Sequence, residues 1–100
     1  MRITGRNVLE VFCRKYVGAR GWIEHWLADA ETATWRTPAD IRNSYATASF
    51  LPGGVVIFNV KGNSYRLEAV VAYQTGAVIV TWAGTHTAYD RRNRVRGRRN

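Results

Sequence analysis

Cysteine is almost missing from this chain. Cys13 is the only one, so no internal disulfide can form, and its place in a helix-like apolar pattern points to a buried side chain rather than a reactive thiol. Histidine is scarce as well. His25, His86 and Cys13 offer no pair at zinc-like spacing, and no cluster of carboxylates resembles a magnesium or calcium site, so neither a metal nor a cofactor is expected. No glycine-rich segment is followed by Lys-Ser or Lys-Thr, which excludes a phosphate-binding loop, and no Gly-x-Ser-x-Gly elbow is present for a nucleophilic serine. No apolar run approaches the roughly 18 residues that span a bilayer. The opening Met1-Arg2-Ile3-Thr4-Gly5-Arg6 lacks the apolar block of a secretory signal. These absences lead us to expect a cytoplasmic protein with no membrane association.

Acidic residues are missing from the last ten positions, where Arg91-Arg92-Asn93-Arg94-Val95-Arg96-Gly97-Arg98-Arg99-Asn100 holds six of the fifteen basic residues. The first ninety residues therefore carry nine basic against seven acidic side chains, and the net charge of +8 belongs mostly to this tail. Such a segment reads as disordered and suited to phosphate contacts, and equally as a solvated appendage. With 46% hydrophobic residues, the rest suits one small domain, expected over 1–90 with the tail at 91–100.

What is present is a helical first half and a strand-rich second half. Val8, Leu9, Phe12, Cys13 and Tyr16 recur at helical spacing, as do Trp22, Ile23, Trp26, Leu27 and Ala30, with Gly18 and Gly21 between them as expected breakers. Both stripes read as core. Thr37-Pro38 opens a short helix, threonine as N-cap and proline at the first helical position. Strands are expected at 46–51, 55–60, 64–73 and 77–83, and their short connections imply antiparallel neighbours. The fold expected is α+β: N-terminal helices on one face of a twisted, mainly antiparallel sheet of four to five strands, the other face open.

The segment Phe58-Asn59-Val60-Lys61-Gly62-Asn63-Ser64-Tyr65-Arg66-Leu67 carries the sharpest local signal. Gly62-Asn63 can supply the positive φ of a two-residue hairpin loop, which sets Val60 opposite Tyr65, Asn59 opposite Arg66 and Phe58 opposite Leu67. Side chains alternate across a strand. Phe58, Val60, Tyr65 and Leu67 then share the core face, and Asn59, Lys61, Ser64, Arg66 and Glu68 share the other. Two cations side by side there favour an anion or a carboxylate between them.

The last strand runs into Gly84-Thr85-His86-Thr87-Ala88-Tyr89-Asp90. One helical turn would bring His86, Tyr89 and Asp90 together, since they lie three and four apart. A histidine titrates near neutrality, an aspartate can orient or deprotonate it, and a tyrosine can donate a proton. A histidine after a strand also serves merely to bond a carbonyl, and these seven residues do not decide between the two.

The order Trp35-x-Thr37-Pro38-x-Asp40-Ile41, Ala48-Ser49-Phe50, Phe58-Asn59-Val60-Lys61-Gly62-Asn63-x-Tyr65-Arg66-Leu67 and Gly84-Thr85-His86-x-x-Tyr89-Asp90 resembles the HigB-type toxins of bacterial toxin–antitoxin pairs, over roughly residues 2 to 91. The resemblance implies a RelE-like fold and a metal-free mRNA endonuclease acting in the ribosomal decoding site. It also implies a HigA-type helix-turn-helix antitoxin, with DNA reached only through the antitoxin complex. The family's basic strand residues correspond to Lys61 and Arg66, and its C-terminal cluster to His86, Tyr89 and Asp90. RNA contacts are expected from Asn59, Lys61 and Arg66, and from Arg91, Arg92 and Arg94. One departure stands out: the family often has a basic residue shortly before Gly-Thr-His, where this chain has the uncharged Val78-Ile79-Val80-Thr81-Trp82-Ala83. Thr81 would then donate a neutral hydrogen bond, or a tail arginine would compensate, or activity is lost. Two other readings stay open, a non-catalytic RNA- or ribosome-binding module and a degenerate toxin that only binds antitoxin.

Overall fold

The computed structural model describes the backbone of residues 1–97 and the side chains of residues 1–93. Its elements in chain order are β1 (Arg2–Thr4), α1 (Arg6–Lys15), α2 (Arg20–Thr32), α3 (Pro38–Ser44), β2 (Ser49–Leu51), β3 (Val55–Val60), β4 (Tyr65–Ala72), β5 (Ala77–Thr85) and α4 (His86–Gly97). The five strands form one sheet in the order β1-β5-β4-β3-β2, antiparallel except where β1 runs parallel to β5. This is the α+β architecture that the periodicities imply.

Helices α1 and α2 lie on one sheet face because their apolar stripes have nowhere else to go. Leu9, Phe12 and Cys13 of α1 and Ile23, Trp26 and Ala30 of α2 are buried in one cluster with Val56, Phe58, Val60, Leu67, Val78 and Val80 from the strands. Trp26 meets Phe58 edge-on, with ring centroids 5.3 Å apart. Burial raises the Cys13 thiol above its ordinary value, as an apolar site must. Helix α3 begins as its sequence demands. The Thr37 side chain accepts from the Asp40 N–H, and the Asp40 carboxylate accepts from the N–H of Thr37 and of Arg36.

The structure corrects four local expectations. Gly21 sits inside α2 and breaks nothing; the chain leaves α1 at Tyr16 (φ −121°, ψ 76°), and the packing of Ile23 and Trp26 outweighs the roughly 1 kcal/mol a helical glycine costs. Strand β2 is shorter than expected, beginning at Ser49. Strand β1 was not expected, since three residues are too few to show a period of two. It turns into α1 through Gly5, whose left-handed φ of 83° and close approach to the Val80 carbonyl leave no room for a Cβ. Finally, the second sheet face is not open. Helix α4 crosses position 90, the expected end of the domain, and Glu68 and Arg66 of β4 are buried, 4% and 9% exposed.

Beyond the one turn expected over His86 to Asp90, α4 has no sequence signal because it lacks an apolar stripe. Its start is marked all the same: the Thr85 hydroxyl accepts from the Ala88 N–H at 3.1 Å, an N-cap contact. Polar contacts then hold it to the sheet. Arg92 donates to both oxygens of the Glu68 carboxylate, at 2.8 and 3.2 Å, while its guanidinium lies over the Trp82 ring. The last expected tail residues, 98–100, lie outside the described part of the chain.

Candidate functional site

The hairpin register is the one its turn predicts: Val60 pairs with Tyr65, Asn59 with Arg66, Phe58 with Leu67. The turn itself differs by one residue. Lys61 (φ 51°) and Gly62 (φ 68°) take the left-handed conformation, and Asn63 does not. That shift has two consequences for the site. Lys61 leaves the strand alternation, and its ammonium comes to rest beside Gly18, on the side of the N-terminal helices. Asn63 is left free to turn its side chain toward Arg66, and its Oδ1 accepts from Arg66 Nη2 at 2.8 Å.

The turn of this β-hairpin and the start of α4 meet through a backbone contact. The His86 N–H donates to the Ser64 carbonyl at 3.1 Å, which pins the first residue of α4 to the turn before β4. His86 then lies against Arg66: Nδ1 is 2.7 Å from Arg66 Nη2. On the other edge of the ring, Nε2 is 3.2 Å from Asp90 Oδ2, the i,i+4 neighbour on the helix. The His86 and Asp90 side chains are 40% and 53% exposed. The arrangement is an imidazole ring held between a buried cation and an accessible carboxylate, where a proton can be taken from a hydroxyl or given to an oxyanion.

Arg66 does not extend into solvent as a fork. Its Nη1 donates to the carbonyls of Asn63 and Tyr65, at 3.4 and 3.1 Å, and its Nη2 serves Asn63 Oδ1 and His86 Nδ1. Its contribution is a fixed positive charge behind the imidazole. Tyr89 goes to a neighbouring group, its ring centroid 6.0 Å from that of Trp82. Trp82 in turn lies across Gly84, where any Cβ would meet its ring at 2.7 Å.

The uncharged end of β5 has a partner. Thr81 donates to Glu68 Oε2 at 2.8 Å, and Arg92 takes the same carboxylate, so an arginine from α4 occupies this part of the sheet. Arg91 is exposed, and the Arg94 side chain lies outside the described residues. Asn59 Nδ2 donates to the Thr47 carbonyl, and with Asn63, Trp22 and Tyr45 it lines an open groove of about 530 Å³ next to the hairpin turn. Among the described residues, no group of three or more His, Cys, Asp and Glu is placed to hold a metal ion. No described helix is long and apolar enough to cross a membrane.

The sequence places Glu68 on this face but does not reveal its partner Arg92, and it does not reveal Asn63 as a partner of Arg66. Asn63 looked like a turn former and nothing more. Glu68 carried a usable signal, since it stands two residues from Arg66 on the same strand face, where a carboxylate relieves crowded cations.

A family model described as HigB_toxin, the RelE-like toxic component of a toxin-antitoxin system, matches residues 19–92. The chain belongs to the HigB-type toxins. The match runs through the hairpin and into α4 as far as Arg92, so Arg66, His86 and Asp90 all fall inside it. No curated protein matches. As a HigB-type toxin the chain is the toxic member of a toxin–antitoxin pair and has an antitoxin as its partner.

Proposed function

We propose that this HigB-type toxin is a metal-independent endoribonuclease that cuts mRNA in the ribosomal A site and so stops translation. One observation carries the reading: His86 stands between the Arg66 guanidinium and the Asp90 carboxylate on an accessible surface. In this reaction the ribose 2′-oxygen bonds to phosphorus as the bond from phosphorus to the 5′-oxygen breaks. The 2′-hydroxyl proton passes to a base and the 5′-oxygen gains a proton from an acid, leaving a 2′,3′-cyclic phosphate and a 5′-hydroxyl. His86 and Asp90 are the proton-handling pair. The Arg66 charge, held in a site of low exposure, offsets the negative charge that grows on the phosphate.

The surrounding residues serve the RNA strand. Tyr89, beside Trp82, stacks on a base. Asn59 and the groove it lines receive a flanking nucleotide, and Lys61, Arg91, Arg92 and Arg94 attract the backbone. The antitoxin is of the helix-turn-helix HigA type, DNA is reached only through that complex, and the toxin works in the cytoplasm, where ribosomes are.

Replacing a positioned proton donor or acceptor costs about a hundred- to ten-thousandfold in rate. Induced His86→Ala protein, folded and soluble, is therefore expected to leave growth and translation unarrested. Arrest equal to that of the parent removes His86 from the account. A second reading, binding without cutting, is favoured by the fact that both ring nitrogens of His86 already have protein partners. It predicts arrested translation with intact mRNA.

A further inference from the structure

We propose that Arg66 and Asn63 are positioning residues that lock His86 as the tautomer with its proton on Nε2, so that the imidazole meets a phosphodiester as a hydrogen-bond donor and not as a base. The inference deepens the nuclease reading and rests on it for the identity of the substrate, though not for the state of the ring.

A guanidinium is always charged and has five N–H donors with no lone pair, so it can only donate. Arg66 Nη2, 2.7 Å from His86 Nδ1, therefore makes Nδ1 the acceptor. A neutral ring has a single proton, which must then sit on Nε2, and there it faces Asp90 Oδ2 at 3.2 Å. A proton on Nδ1 would set two N–H groups head to head.

Arg66 cannot readily turn aside to relieve such a clash. It is 9% exposed and its two terminal nitrogens are held by Asn63 Oδ1 and by the carbonyls of Asn63 and Tyr65. Among the described residues, Asn63 is the only side chain in that set besides the imidazole itself, which makes its amide the lock on the guanidinium. The two partners of the ring are unequal. Asp90 is 53% exposed and shares only the longer contact, so a phosphate oxygen can replace it on Nε2 while Arg66 stays in place. His86 then offers an N–H to the phosphate, Asp90 is the acceptor left to take the 2′-hydroxyl proton, and the departing 5′-oxygen takes its proton from water.

The test is nitrogen NMR on full-length toxin labelled at histidine, without RNA, near pH 8, above the ordinary imidazole range. His25 supplies the only other histidine signals, and a His25→Gln variant assigns them. In the parent, His86 Nδ1 should resonate as a bare nitrogen and Nε2 as a protonated one. In Asn63→Ala the pattern should move toward a mixture of the two tautomers, in Arg66→Ala further still, and Arg66→Lys should restore it in part. A parent ring with its proton on Nδ1, or already a mixture, overturns the proposal. An unchanged pattern in folded Asn63→Ala removes Asn63 from it, and the parent spectrum remains decisive should either variant fail to fold. A toxin that shows the Nε2–H ring but cuts no RNA leaves the lock standing and removes the nuclease reading instead.

Discussion

On the sheet face toward α1 and α2, the buried strand residues are Val56, Phe58, Val60, Leu67, Ala69, Val71, Val78 and Val80; on the face toward α4, the buried groups of β4 are a glutamate and an arginine. The first face is held by apolar area and ring packing. The second buries Ile57 opposite Glu68, but its contacts to α4 are directional, Arg92 to Glu68 and Arg66 to His86, with Thr81 also on Glu68. Apolar burial tolerates small shifts of geometry, whereas a guanidinium and a carboxylate must meet within a few tenths of an ångström. Stability therefore resides mainly on one side of the sheet, and the groups able to do chemistry are fixed on the other.

The largest effect expected on this contrast comes from Phe58→Ala. Phe58 is fully buried and in ring contact with Trp26, Trp35 and Tyr45, so its loss should cost about 3–5 kcal/mol of global stability, read from urea unfolding. A midpoint close to that of the parent would show that the helical layer does not carry the fold.

Arg92→Ala probes the other face. It removes two charge-assisted hydrogen bonds from a buried carboxylate, a loss of about 1.5–3 kcal/mol that should fall on α4 rather than on the whole domain. Amide exchange in α4 should quicken while the urea midpoint moves far less than in Phe58→Ala. Equal protection of α4 in both proteins would mean that the Glu68 contact is not what secures the helix.

The smallest effect is a dependence on pH that belongs to the first face. Burial, and after it the Asp29 carboxylate to which it donates at 2.8 Å, push the Tyr45 hydroxyl above its ordinary value. A phenol whose folded value is raised contributes stability in full below its unfolded value of about 10, and that stability is lost as pH climbs from there toward the folded value. Urea midpoints taken between about pH 9 and about pH 11 should therefore fall in the parent and fall less in Tyr45→Phe. Tyr73, also raised by burial, will keep part of the slope. Identical slopes would contradict the assignment.

The same contrast explains which parts of the molecule could be read in advance. Phe12, Trp26 and Phe58 belong to runs with the spacing of a helix or a strand, so the core face was legible from periodicity, and the hairpin register from the position of its turn. Helix α4 beyond its first turn was not, because a run of arginines has no apolar period. Its stability depends on Glu68, which lies 24 residues from Arg92 in the chain. His86 and Asp90 were legible as i,i+4 neighbours, and Arg66 was legible on the second face. Lys61 was misplaced for a local reason: the left-handed turn began one residue earlier than a Gly-Asn pair suggests. Asn63 could not be identified before that turn was known.

Whether the ring between Arg66 and Asp90 cuts RNA is tested most directly by the ends of the product. Purified toxin mixed with ribosomes programmed with mRNA, in the presence of EDTA, should yield fragments ending in a 2′,3′-cyclic phosphate, and His86→Ala should yield about a hundred- to ten-thousandfold fewer. Intact mRNA in reactions where the parent nonetheless halts translation, or fragments as abundant with His86→Ala as with the parent, would contradict it.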